Sequence, residues 1–293
     1  MSEPVPLDAS LLREFPLPHH PDDSDKEGRG TDLIIAGSRE VSGAALLAGV
    51  AALRAGAGKL QIATSASVAV GLGLAIPEAR VMAFAEDDAG CIRHAALDSL
   101  VAECDAVDSL TIGPGMEPGA ALTALIEAVL ARGGAYPLVL DAAALGMLPA
   151  LPEKLRARRG GTILLPHCGE MARLLECEIE QVHADPLATA RRAAETFGAV
   201  TLIKGAWSFI TAPDGRVFRF EGGGVGLATS GSGDTLAGIV GGLAARGADA
   251  LTATLWGVYL HGEAGRILTR NVGRIGFLAR EIPDLVPGLM ERV

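Results

Sequence analysis

Between Gly222 and Arg246 the chain is stripped nearly bare of side chains and then turns, at a single residue, into a helix. Glycine occupies Gly222, Gly223, Gly224, Gly226, Gly231 and Gly233, and the run stops at Asp234. Leu236, Ile239, Val240 and Leu243 follow at the i, i+3, i+4, i+7 spacing of one apolar helix face. Gly247 stands where such a helix would be capped. A glycine-rich loop that runs into a helix N-terminus aims several free backbone N–H groups at one point. The helix dipole adds partial positive charge there, so the loop predicts an anion site. It is not a P-loop, which needs Lys-Ser/Thr after the glycines, and it is not a G-x-G-x-x-G fingerprint. Asp234 has two readings. It is a cap or dipole partner of its helix. Or it is the carboxylate that takes a proton from an attacking hydroxyl while the loop amides hold a moving phosphate.

The 293 residues suffice for one large α/β domain or two small ones. Only 4% of them are aromatic while 38 are glycine, a composition suited to helices packed closely on a parallel sheet. A net charge of −10 without a basic block argues against non-specific nucleic-acid binding. It leaves room for a phosphorylated ligand, because amide donors and a metal replace lysines locally. Cys91, Cys104, Cys168 and Cys177 form no C-x-x-C and no zinc spacing, so they read as free thiols in a reducing compartment. The N-terminus lacks the basic and apolar regions of a signal peptide, and no apolar run reaches the roughly 18 residues of a membrane span. The expectation is a soluble, cytoplasmic protein with no membrane partner.

Residues 1–30, rich in Pro, Asp and His, read as an arm with one short helix around 10–15. His19 and His20 in this stretch are expected to be solvated rather than metal ligands. Strands are predicted over 32–37, 59–64, 80–84, 107–113, 137–141, 162–165 and 199–204, alternating with helices over 44–55, 65–78, 91–103, 119–131, 169–176 and 186–197. That alternation is the signature of a parallel sheet, whose ligands gather at the C-terminal strand ends. Gly37, Ser38, Gly43 and Ala44 therefore qualify as site residues, or simply as small residues that allow a tight turn. The corner Gly113-Pro114-Gly115 lets a ligand approach the backbone. Asp141 is either a helix cap or a metal or phosphate contact. His167 and Glu170 face one pocket, or His167 is a structural hydrogen-bonder. Lys204 ends a strand and supports a nucleotide, or is a surface cation. Strands over 207–212 and 216–220 flank the turn Pro213-Asp214-Gly215 and predict an antiparallel edge hairpin. A long helix over 249–268 carries His261 and Glu263, assigned to packing and solvent contact, and a last helix is expected near 277–285. No repeat or linker divides 31–293, so the expectation is a single domain, a three-layer α/β/α sandwich with a mostly parallel sheet.

In order and spacing, GSREVSGAALLAGVAALRAGAG, the Gly113-Pro114-Gly115 corner, LVLDAAAL, ILLPHCGE, LIKGAWSFI and ATSGSGDTLAGIVGGL resemble the ADP/ATP-dependent NAD(P)H-hydrate dehydratases of the ribokinase-like superfamily. The resemblance covers nearly everything after residue 26. It implies repair of NADH and NADPH hydrated on the nicotinamide ring (NADHX and NADPHX). The terminal phosphate of ADP or ATP passes to the ring hydroxyl, and the ester then eliminates. It implies Asp234 as the base and the amides of Gly231, Ser232 and Gly233 as the anion hole. Nucleotide contacts would come from Lys204, Gly205, Ala206, Trp207, Ser208 and Gly233. Hydrate contacts would come from Ala44, Gly115, His167 and Asp234. Magnesium would bridge the phosphates, with Glu170 and Asp141 beside its water shell. Relatives form homo-oligomers. The pattern departs from the family's at Leu165 and Cys168, at Ala143 in place of a second aspartate, at Val41 in place of an aromatic, and at Asp25-Lys26-Glu27. A kinase for a small alcohol, similar to hydroxyethylthiazole kinase, and a catalytically impaired dinucleotide binder use the same residues and remain open.

Overall fold

The computed structural model describes residues 3–293. Among them, ten strands form one sheet in the order β1-β10-β9-β8-β7-β6-β5-β2-β3-β4. Residues 31–35, fully buried and rich in Leu and Ile, make β2 (Thr31–Ile35), after β1 (Val5–Pro6) and α1 (Ala9–Leu12). The alanine-rich α2 (Ser42–Arg54) returns the chain to β3 (Lys59–Ser65), and α3 (Ala66–Ala75) leads to the edge strand β4 (Ala79–Phe84). The chain then crosses back over β2 through α4 (Leu97–Ala102) to lay down β5 (Ser109–Ile112). Next come α5 (Ala120–Arg132), β6 (Leu138–Leu140), α6 (Pro152–Arg156), β7 (Thr162–Leu164), α7 (Cys168–Leu174), α8 (Ile179–Ala184) and α9 (Pro186–Phe197). The strand β8 (Val200–Ile203) completes the parallel part. β9 (Trp207–Thr211) and β10 (Val217–Glu221) form the expected antiparallel hairpin. The loop-to-helix α10 (Ser232–Ala245), the long α11 (Ala250–Asn271) and α12 (Val286–Met290) close the chain.

Alternate strand residues divide the core. Leu33, Ile35, Leu138, Leu140 and Leu164 face α4, α5, α7 and α9. Val139, Ile163 and Leu202 face α10 and α11, and Ile34 and Ile62 face α2 and α3. The period of two in each strand thus builds the two helical layers of the sandwich.

Three expectations shift. Residues 1–30 do more than lead into the domain. β1 pairs with β10 outside the hairpin, and Leu7, Leu11 and Leu12 are buried in the α10–α11 core. The helix expected over 91–103 begins only with a 3₁₀ turn at His94–Ala96, because an antiparallel bridge between Glu86 and Ile92 holds the preceding chain extended. The helix expected near 277–285 is two 3₁₀ turns, Ala279–Glu281 and Pro283–Leu285, and α12 follows them. Pro283 and Pro287 lack the N–H that a continuous helix would need, so each can only open a turn. Burial of Phe277, Ile282, Val286 and Leu289, not periodicity, holds this tail down.

Candidate functional site

The sheet reverses its direction of growth between β2 and β5, and open α/β sheets bind ligands at the C-terminal strand ends near such a switch. Gly37 and Gly115 meet there. The Gly37 N–H donates to the Pro114 carbonyl at 2.8 Å. Gly115 has φ +65°, and a Cβ on it would lie 2.6 Å from both the Ala44 Cβ and the Val41 carbonyl oxygen. Only glycine lets the corner close on the first turn of α2. Ala44, Gly115, Gly37 and Val41 are thus one patch. A cavity of about 560 Å³ opens beside it, bordered by Gly37, Ser38, Cys91 and Met116.

Further along the rim, the ends of β6, β7 and β8 deliver charge. Asp141 follows β6, is 2% exposed and accepts the Lys204 ammonium at 2.9 Å on Oδ1. Ala142, just after it, has φ +50°, a conformation that costs a non-glycine residue energy and clusters at functional sites. Lys204 follows β8, with its N–H bonded to the Pro166 carbonyl. It is therefore not a free surface cation. Burial works against its charge, but Asp141, Glu170 and Asp234 outweigh burial and hold the ammonium above its ordinary pKa. Glu170 lies 3.9 Å from Lys204 Nζ and spends its Oε2 on the His167 N–H at 2.8 Å. His167 in turn caps α7: Nδ1 accepts from the N–H groups of Gly169 (3.0 Å) and Glu170 (3.3 Å). His167 is thus the structural hydrogen-bonder, and its half-exposed ring also lines the large cavity described next, whereas Glu170 is buried and does not line it.

Asp234 sits in the first turn of α10, half-buried. Burial pushes its carboxyl up to about 6, the charges of Asp141 and Glu170 add to this, and Lys204 opposes it. An acid poised near neutral pH beside a lysine is a proton acceptor in the making. The loop before it bends through Gly231 at φ +87°, where a side chain would strike Leu47 of α2. The N-cap Gly231 supplies no side chain to the first turn; the Ser232 N–H donates to the Thr229 carbonyl at 3.2 Å, while no such bond takes up the N–H groups of Gly233 and Asp234. Gly233 is close to both charges: a Cβ there would stand 3.5 Å from Lys204 Nζ and 3.8 Å from Asp141 Oδ2.

A cavity of about 790 Å³ opens on the hairpin side of this cluster. Lys204, Gly205, Ala206, Trp207, Ser208, Ser232 and Gly233 line it, together with the glycines at 222–224. Trp207 is 46% exposed, and the Arg219 guanidinium lies 4.6 Å from its ring centre. Asp141 and Asp234 do not line it; they stand beyond Lys204 and Gly233. The order along the rim is thus cavity, charged cluster, glycine corner.

One residue was assigned elsewhere. His261 is not mere packing: it lines the cavity and touches Ser232. The available signal was its neighbours. Gly262 and Gly265 inside a helix mark a close approach, here of α11 to Phe220 and Leu227. Among the described residues no group of three His, Cys, Asp or Glu side chains converges as a metal site. His20 instead bonds the Arg246 carbonyl at 3.2 Å.

A family model described as NAD(P)H-hydrate dehydratase matches residues 33–287. An ADP-dependent (S)-NAD(P)H-hydrate dehydratase of Xanthomonas campestris is 49% identical over 97% of this chain and 96% of its own length. A bifunctional NAD(P)H-hydrate repair enzyme of Moorella thermoacetica is 38% identical over 90% of this chain and 50% of its own. The Bacillus subtilis ADP/ATP-dependent NAD(P)H-hydrate dehydratase, co-crystallized with ATP/Mg²⁺, superposes with a TM-score of 0.84 at 31% identity, covering 98% of each chain. A hydroxyethylthiazole kinase of Pyrococcus horikoshii, 18% identical with a TM-score of 0.58, shares the fold alone.

Proposed function

The chain belongs to the NAD(P)H-hydrate dehydratase family, and on that premise we propose that it dehydrates NADHX and NADPHX to NADH and NADPH at the expense of ADP or ATP. One observation carries the reading. Asp234 stands next to a cavity large enough for a nucleotide, with Lys204 and a helix N-terminus at its side and the glycine corner further along the same rim.

The nucleotide enters the large cavity, its base side toward Trp207 and the segment Gly205, Ala206 and Ser208. Its terminal phosphate meets Lys204 and the amides of Gly231, Ser232 and Gly233. The ring hydroxyl of the hydrate approaches from the side of Ala44 and Gly115, and His167, on the wall of the large cavity, meets it across the charged cluster. Asp234 takes the hydroxyl proton as its oxygen bonds phosphorus, and the nucleotide departs one phosphate shorter. The amides and Lys204 hold the charge that gathers on the phosphoryl oxygens. The ester then loses phosphate, a far better leaving group than hydroxide, while the adjacent ring carbon gives up a proton to solvent, and the ring double bond returns.

Magnesium fits the donor set. Asp141 is engaged by Lys204, and Glu170 by His167 and Lys204, so neither carboxylate is free to enclose a bare ion. A hydrated ion that takes its direct ligands from phosphates needs only such carboxylates beside its waters. Asp141 and Glu170 would hold it there, and when bound it neutralises phosphate charge.

Purified protein with ADP or ATP, Mg²⁺ and NADHX should restore absorbance at the NADH wavelength. A flat trace with both nucleotides, where a known relative works, overturns the reading. The related kinase chemistry would stop at the ester, so a stable phosphorylated product in the mass spectrum would replace dehydration by phosphorylation.

We infer self-association as well. α3 carries no charge and exposes Val70 and Leu74 at 75% and 81%; sedimentation should give a mass above 30.0 kDa. The four cysteines are free, which suits a reducing cytoplasm, and no described helix is long and apolar enough to cross a membrane.

A further inference from the structure

The scheme above leaves one buried polar pair without a task. His261 projects from α11 against the first turn of α10. Its Nε2 lies 3.0 Å from the Ser232 hydroxyl oxygen and 3.1 Å from the Ser232 carbonyl oxygen. A carbonyl oxygen has no hydrogen to give. An unprotonated Nε2 would therefore set lone pair against lone pair at that distance, so the ring carries its proton on Nε2 and donates it. Burial keeps the imidazole neutral and pushes its pKa down to about 4; the bond to the Ser232 carbonyl opposes this and the Lys204 charge adds to it. At neutral pH the ring thus has one proton, and it points at Ser232. The Ser232 hydroxyl can only receive from that nitrogen, so its own hydrogen must point elsewhere. Ser232 is 6% exposed and is one of the residues that line the large cavity.

We propose that His261 is a positioning residue: by donating from Nε2 to Ser232 it turns the Ser232 hydroxyl hydrogen into the cavity, where it joins the loop amides as a donor to phosphoryl oxygens. This rests on the phosphoryl-transfer reading of the loop. It adds a side-chain donor to an anion hole otherwise built from backbone, and gives the buried histidine a reason to remain neutral. A protonated ring would donate from both nitrogens, but the Ser232 side would not change. Activity should therefore show no loss assignable to His261 between pH 5 and 8.

Four variants test it: Ser232→Ala, His261→Phe, His261→Gln and the double change Ser232→Ala with His261→Phe. Thermal unfolding first establishes that each is folded. Ser232→Ala and His261→Phe should each lower kcat by roughly 100-fold, the low end of the range for losing one oxyanion donor, with the nucleotide KM raised no more than about 5-fold. The double variant should be no worse than Ser232→Ala, since both act through one hydroxyl. His261→Gln, whose amide N–H reaches toward the same place, should recover part of the rate. Multiplying losses, or a wild-type kcat in folded His261→Phe, overturns the positioning role. Inorganic phosphate titrated into the protein reads the same donor without turnover. Both single variants should bind it several-fold more weakly, and equal affinity throughout overturns the proposal. An inactive wild type would instead overturn the dehydratase reading, while the phosphate titration still decides the role of His261.

Discussion

Two carboxyl groups, one on helix α10 and one beneath it, are pushed above the ordinary carboxylate range. Asp234, in the first turn, rises to about 6, and Asp32, on β2 beneath the third turn, rises to about 8. Burial is the first cause in each. The surroundings differ. Asp234 has Lys204, Asp141 and Glu170 around it and a cavity beyond Gly233. Asp32 is 0% exposed, and neither oxygen closes a hydrogen bond of normal geometry. Gly241 packs over it so closely that a Cβ would stand 2.8 Å from Oδ2. The neighbouring Ser109 hydroxyl, paired across from it on β5, pulls its pKa back only partly. A raised pKa alone therefore marks no site. What separates the two carboxyls is a fixed cation and a way in for substrate.

The comparison breaks most visibly at Asp234→Asn. Turnover should fall at least roughly 100-fold, the scale for losing a catalytic base, while the unfolding temperature holds or rises. A smaller loss would reduce Asp234 to a helix-terminus residue like many others. For the unaltered protein, the acid must be ionised to accept a proton. kcat/KM should thus climb from pH 5 to 7 around an apparent value near 6, then level.

Neighbours sharpen it next. Lys204 lowers the Asp234 pKa and Asp141 raises it. Lys204→Met should cut kcat/KM by roughly 10-fold or more, through lost phosphate contact, and move the rising limb toward alkaline pH. Asp141→Asn should move that limb toward acid. Limbs that stay in place in both variants would mean that the titrating group is not Asp234.

Much of the fold is legible in the sequence. The strand-helix alternation follows from Gly and Pro punctuation between apolar runs, and the hairpin from Pro213-Asp214-Gly215. The glycine loop that runs into α10 at Asp234 is readable from its glycine density. Asp141, His167, Glu170 and Lys204 are readable as strand-end residues, but not their convergence, since three separate strand ends supply them and only the strand order brings them together. His261 escaped because a histidine on a core-facing helix looks the same whether it fills space or points at a loop 29 residues away. The tail escaped because its burial comes from long-range contacts around two prolines rather than from its own periodicity.

Asp32 gives the smallest effect on catalysis and the cleanest contrast. An acid whose folded pKa is raised binds a proton when folded that it releases on unfolding. This holds between the unfolded value near 3.8 and the folded value of about 8. Below that window the group contributes no penalty; through it, stability falls as pH rises, by up to about 1.4 kcal/mol per pH unit, the slope of one proton. Asp32→Asn removes the ionisation and keeps the shape. Its unfolding free energy should lose that slope between pH 5 and 8 and exceed the unaltered protein's toward pH 8, with kcat unchanged within about 2-fold. Denaturant titrations at three pH values read the difference. Parallel curves for the two proteins would mean that Asp32 is already ionised in the fold, held by a partner that burial hides. A fall in kcat would join the two ends of α10 into one site and erase the distinction between them.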